Sequence, residues 1–145
     1  MSQDNEVPAS IQNWLELVES DTELNCISLS RDERTGHLPK LLGDLIGRLR
    51  LDSGSKAPVS IAAGDHGIMR RDQGYTAPMV IEESRILQVS IFRTLQRNLR
   101  TVDFSKVLLD IVTIADEVDS QLKQAMTGFI TPIAILKPLA FGLAG

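Results

Sequence analysis

Between Phe104 and Phe129 the apolar residues Phe104, Leu108, Ile111, Ala115, Val118, Leu122, Ala125 and Phe129 recur at alternating spacings of four and three. A helix turns such spacing into one stripe, and a period of about 3.5 residues is that of a coiled-coil seam. A helix buried only within its own globule carries a wider, less regular stripe. Two readings follow: one helix of a bundle among others, or a helix that pairs with its twin in a homodimer and passes a movement onward. Helical spacing recurs along the rest of the chain too, and no strand-like alternation lasts more than a few residues. The predicted fold is therefore all-α, a single helical bundle of five or six helices with a long C-terminal signalling helix.

Local punctuation sets the expected boundaries. Residues 1–9 are polar and acidic and read as a flexible N-terminus, with Ser10 as the cap of a first helix carrying Ile11, Trp14, Leu15 and Val18. A short helix is expected over Asp21 to Cys26. After the stretch SRDERTGHLP, Pro39 suits the first turn of a helix bearing Leu41, Leu42, Leu45, Ile46 and Leu49. The segment LDSGSKAP is a linker by composition. Pro58 opens the next helix, Gly74 is its left-handed stop, and Thr76 caps the one that follows, with Pro78 in its first turn, running to about Leu99. Asp103 or Ser105 caps the last helix, which reaches about Thr127. Residues 10–128 thus form the all-helical domain, and the apolar stretch 129–145 is expected to link it to an output domain.

At 145 residues the chain has the length of one domain. Its net charge of −4, with no basic run beyond Arg70–Arg71, lacks the footprint of a nucleic-acid binder or of a protein held on an anionic membrane. Lys137 and two prolines break the apolar tail, so it does not read as a membrane span. Cys26 is the one cysteine and the start is not a secretory signal, which points to the cytoplasm.

The stretch AAGDHGIMRRDQGYTAPMVIEE, residues 62–83, is unusual for a helix. At about 100° per residue, Val59, Ala62, Ala63, His66, Met69, Arg70 and Gln73 share one face, while Ile61 and Ile68 point away. Gly64 and Gly67 each weaken the helix by roughly 1 kcal/mol relative to alanine, a loss that close approach of a neighbouring helix would compensate. A buried Arg70 needs an acceptor. If Gly-Tyr-Thr is the tight link of an antiparallel helix pair, Glu83 lies level with His66 and within reach of Arg70. The prediction is a polar knot of His66, Arg70, Gln73 and Glu83 with Tyr75 covering its end. It is either a network that fixes helix register or a switch responding to a ligand, a proton or a partner, and an imidazole titrating near neutrality suits the second role.

No catalytic machinery is visible: the chain has no nucleophile elbow, phosphate-cradling glycine loop or recognisable pair of carboxylates. The Asp-Glu-Val-Asp run at 116–119 reads as a solvated face, and Asp103 and Asp110 as surface or cap residues. His37 reads as a loop or helix-start residue, and as the only other histidine, on a different segment from His66, it makes a poor case for a metal site. Two alternatives use His66 differently, as the phosphoacceptor of a phosphotransfer domain or as the axial ligand of a globin-like haem sensor. The first needs an exposed imidazole. Arg70 and the low aromatic content argue against the second.

The run HGIMRRDQGYTAPMVIEESRIL resembles the motif of RsbRD-type N-terminal sensor domains: His-x-x-x-Arg on a small-residue helix, then Gln-Gly-Tyr, then Glu-x-Arg-x-Leu. His66, Arg70, Gln73, Gly74, Tyr75, Glu83, Arg85 and Leu87 match it. HLPKLLGDLIGRL is similar to the family's proline-started helix, and the likeness spans roughly residues 10–128. Ser84 departs from the pattern, standing where the family often has an aromatic residue. The resemblance implies an all-helical, cytoplasmic input module joined to a stressosome STAS-type domain or a histidine-kinase core, and with no catalytic machinery or cofactor motif in the residues the expectation is a non-catalytic signal-input domain without a cofactor. No kinase phosphoacceptor box or nucleotide-binding motif stands in residues 129–145.

Overall fold

Proline, glycine and hydroxyl residues divide the chain into helices close to the expected places. The computed structural model describes residues 3–51, 59–97 and 104–131. Among them are α1 (Gln3–Glu19), a 3₁₀ turn (Leu24–Cys26), α2 (Arg31–Thr35), α3 (Leu38–Leu49), α4 (Ile61–Asp72), α5 (Ala77–Arg97) and α6 (Phe104–Ile130), with no strand. The expected positions of Pro58, Leu99 and Asp103, the tail beyond Thr131 and the Phe104 side chain lie outside the described residues. The N-terminus departs from expectation. Helix α1 begins at Gln3, so Ser10 is not a cap but an interior residue whose hydroxyl pairs with Thr94 Oγ1 at 3.1 Å.

Further along, the caps act as the residue types dictate. Ser30 and Glu33 close a capping box around α2, a helix the sequence reading did not include. Pro39 sits in the first turn of α3, where a missing N–H costs nothing. Ser60 caps α4 by accepting from the Ala63 N–H at 3.1 Å, so the helix itself begins at Ile61. Gly74, at φ +92°, ends the segment in the left-handed region that glycine tolerates. Thr76 Oγ1 accepts from the Met79 N–H at 3.4 Å to start α5.

Helix α6, 27 residues long, is the element the others share: it packs along α4 and also touches α5 and α3, while α1 lies on α5. This corrects the expected hairpin, because α4 lays its length on α6 and has few contacts with α5. Glycine makes the α4–α6 approach possible. A Cβ at Gly67 would run into the Ala125 carbonyl, 2.6 Å from its carbon, and one at Gly128 would come within 3.1 Å of the Gly64 carbonyl carbon. The compensation expected for the weak helix is thus present, and α6 supplies it.

The proposed seam divides in two. Val118 and Ala125 are buried, Leu122 packs against the same core, and Ala115 is half-buried, so this half is filled by the chain's own helices. Leu108 and Ile111 are exposed at 53% and 36%, beside Leu109 and Val112 at 59% and 68%. The row that α6 buries runs through Val107, Ile114, Val118, Gln121 and Ala125, slightly rotated from the predicted stripe. From Leu108 to Ala125, a single continuous dimer seam is therefore not what the helix presents. The acidic run is corrected too: Glu117 is 1% exposed and accepts from Arg48 at 3.1 Å, while Asp116 takes the other Arg48 nitrogen at 2.6 Å. Among the described residues no helix is long and apolar enough to cross a membrane.

Candidate functional site

Arg70, in the last turn of α4, is fully buried, so every polar atom it carries must find a partner inside. Its Nε donates to Glu83 Oε1 at 2.9 Å. One terminal nitrogen donates to Gln73 Oε1 at 2.7 Å and to the Glu33 carbonyl at 3.3 Å, and the other to the Arg34 carbonyl at 2.8 Å. The guanidinium also lies 4.9 Å from the Tyr75 ring centre. Charge-assisted bonds of this kind are the strong ones, and together they hold a cation that would otherwise be very costly to bury.

Glu83, on α5, is buried as deeply and is shared. Its second oxygen accepts from the Tyr75 hydroxyl at 2.7 Å, and its backbone carbonyl accepts from Trp14 Nε1 at 3.1 Å. The Tyr75 oxygen in turn accepts from Arg34 at 3.1 Å. Arg34 is a second buried cation, completed by the Ile27 carbonyl at 2.7 Å and the Leu24 carbonyl at 3.4 Å. His66 Nε2 lies 3.8 Å from Glu83 Oε1. Its ring stacks on His37, with centres 3.6 Å apart and planes 9° from parallel, and Trp14 meets His37 edge-on at 5.7 Å.

The structure therefore brings together His66, Arg70, Gln73, Tyr75 and Glu83. It adds Arg34 and His37, which the sequence reading missed. The spacing Ser30-x-x-Glu33 was the available signal for Arg34, because it starts the short helix whose fourth residue turns inward. His37 had no such signal, since stacking between separate segments leaves no local mark. The helical wheel was right for Ala63, His66 and Arg70 and wrong for Val59 and Met69, which are exposed at 83% and 48%. A wheel assumes one neighbour along the whole helix, whereas α6 and the α2–α5 region divide the face of α4 between them.

Electrostatics narrow what the cluster can do. Burial first, and then the Arg70 charge, depress the His66 pKa to about 3. Burial, His66 and Arg70 hold His37 well below its ordinary value. Burial pushes Tyr75 up, helped by Glu83, and raises Glu83 against the opposing pull of Arg70 and Tyr75. His66 is thus a neutral imidazole at neutrality, which corrects the expectation of a proton switch there. At 6% exposure it is not an accessible phosphoacceptor either.

A cavity of about 30 Å³ lies beside the stacked rings, bordered by Trp14, His37, His66, Glu83, Ser84 and Gln121 among others. It has room for about two waters and is far too small for haem. Among the described residues no group of three or more His, Cys, Asp or Glu side chains is placed to hold a metal. No protein-family profile, curated protein or solved structure matches the chain.

Proposed function

We propose that this chain is a non-catalytic signal-input and dimerisation domain of a cytoplasmic bacterial signalling protein. It passes a conformational change through α6 to a STAS-type or histidine-kinase output domain. The crossing of α4 and α6 carries the reading. Backbone meets backbone at Gly67 of α4, the helix that carries His66 and Arg70, and at Gly128 of α6, so a shift of the polar cluster reaches α6 through atoms that cannot repack. The first turns of α6 expose Leu108, Leu109, Ile111 and Val112 together, a contiguous apolar face of a kind that marks interaction sites. A second copy of the chain fits it, because two such faces related by a two-fold axis complement each other.

Light scattering on the order of tens of micromolar protein tests this, a range in which modest interfaces are populated. A dimer is expected for the native chain. Leu109→Glu with Val112→Glu should give a monomer with unchanged helical circular dichroism. A native chain that stays monomeric across that range sinks the proposal.

A further inference from the structure

Arg70 and Arg71 follow one another on α4, and consecutive side chains on a helix point about 100° apart, so one neighbour cannot take both. Arg70 goes to the cluster. Arg71 turns to the far end of α6, where its Nη1 donates to the Thr131 carbonyl. Its other edge is held by Asp72 Oδ1, 3.3 Å from both Nε and Nη2, and the side chain is 20% exposed. A helix ends in carbonyls without intrahelical partners and in the negative end of its dipole, and a guanidinium complements both. Thr131 belongs to that end. Its amide closes on the Gly128 carbonyl at 3.2 Å, and its hydroxyl donates to the Thr127 carbonyl at 2.6 Å. A pull on the Thr131 carbonyl is therefore a pull on the last turn of α6.

This second contact changes what the glycine crossing does. At Gly67 and Gly128 main chain touches main chain, which fixes a point but leaves an angle free. Arg71 stands one helical turn beyond Gly67, and its bond to Thr131 supplies the second point that sets the angle. Around that bond, Phe129 packs against the core, while Thr127 and Ile130 are exposed, the latter at 69%. The two arginines also share a firm stretch of main chain. Their carbonyls accept from the Tyr75 and Gly74 N–H groups, each at 3.0 Å, so no soft joint separates the two anchors. From this placement we infer that Arg71 is a positioning residue, a strap that makes the last turn of α6 follow α4, so that a displacement of Arg70 within the cluster alters how α6 ends. The inference rests on the signal-input reading for its purpose and adds the residue through which the cluster acts on α6. A helix-end cap of local effect stabilises the turn and is indifferent to the cluster; a strap is not, and the difference is measurable as a coupling.

Amide hydrogen exchange of the full chain, followed residue by residue by NMR, reads the last turn at the Thr131 N–H. A helix end frays without global unfolding, so Thr131 exchanges faster than the buried Val118, which reports global opening. Arg71→Met keeps the stem and removes the donors, and should speed exchange at Thr131 by about fivefold or more, the effect of one hydrogen bond of ordinary net strength. Glu83→Gln loosens Arg70 at nearly constant side-chain size, and Tyr75→Phe takes its place if that variant does not fold. With Arg71 present the cluster variant should speed Thr131 by about twofold or more, the lower edge of measured couplings between residues of one network. In the Arg71→Met background the same change should leave Thr131 unmoved. Two results overturn the inference: Thr131 exchange that Arg71→Met does not alter, or an effect of the cluster variant that is equal with and without Arg71. Light scattering of the same samples reports the dimer. A dimer with an uncoupled last turn removes the strap and leaves the signal-input reading, whereas a monomer with a coupled turn does the reverse.

Discussion

Replacing Gly67 and Gly43 by alanine, one at a time, should move stability in opposite directions. Both glycines lie inside helices, where alanine is favoured by roughly 1 kcal/mol. Around Gly43 an added Cβ meets nothing within 4 Å, so Gly43→Ala should collect that gain in full. Around Gly67 the new Cβ lands on the Ala125 carbonyl, 2.6 Å from its carbon where ordinary contact begins near 3.4 Å. Main chain cannot rotate away as a side chain does, so α4 and α6 must part. Overpacking of this kind costs about 1–3 kcal/mol, and the gap it opens along the crossing forfeits further dispersion contact. Set against the helix gain, Gly67→Ala should lose about 2 kcal/mol net, leaving the two variants about 3 kcal/mol apart. For a domain of this size that is a midpoint rise of about 3 °C for Gly43→Ala and a fall of about 6 °C for Gly67→Ala. Thermal and urea unfolding at one fixed protein concentration would measure both. If Gly67→Ala is as stable as the native chain, the backbone contact of α4 with α6 is not as described.

The pH response should carry the mark of the neutral histidine. His66 titrates near 3 when folded and near 6.5 when unfolded, so between those values the unfolded chain holds more protons and stability falls as pH drops. From pH 6.5 to pH 5 this amounts to about 2 kcal/mol from His66 alone. His37 acts in the same direction, and the raised Glu83 acts oppositely above 4.5. The difference between native chain and His66→Gln in urea unfolding at pH 7 and pH 5 isolates the histidine, and equal slopes would refute its neutral burial. Tyr75→Phe strips one bond from Glu83 and one from Arg34 and should cost about 1–3 kcal/mol, read from the urea midpoint. Glu83→Ala leaves the Arg70 charge without its carboxylate and should cost about 3–5 kcal/mol; a loss under about 1 kcal/mol would mean the ion pair is not buried.

The residues that punctuate helices made most of the fold legible in advance. Pro39, Gly74 and Thr76 act locally, so their effect survives in any tertiary setting. The polar knot was legible because a cation on an otherwise buried face demands a carboxylate, and Glu83 stood at a suitable level. What failed depended on who packs against whom. A short link such as Gly-Tyr-Thr suggests an antiparallel pair, but the long Arg70 side chain reaches Glu83 while α4 lies on α6. The seam failed for a related reason: Val118 and Leu108 sit on the same heptad stripe, yet only Val118 has helices of its own chain to cover it. In sequence Glu117 looks like a solvated acid because its partner, Arg48, is 69 residues away.

Arg34 and Arg70 place two permanent positive charges in the interior against the single carboxylate of Glu83. The imbalance is met by main-chain carbonyls of Leu24, Ile27, Glu33 and Arg34, all within one stretch of eleven residues. A connection of this kind would ordinarily tolerate nicking, lengthening or a fused tag. Here its peptide dipoles serve as counter-ions, so opening the chain between Leu24 and Arg34 would take carbonyl partners from both guanidiniums, leaving Glu83 and Gln73 on Arg70 and the Tyr75 hydroxyl on Arg34. Anyone seeking a permissive splice point for a reporter should look elsewhere in the molecule.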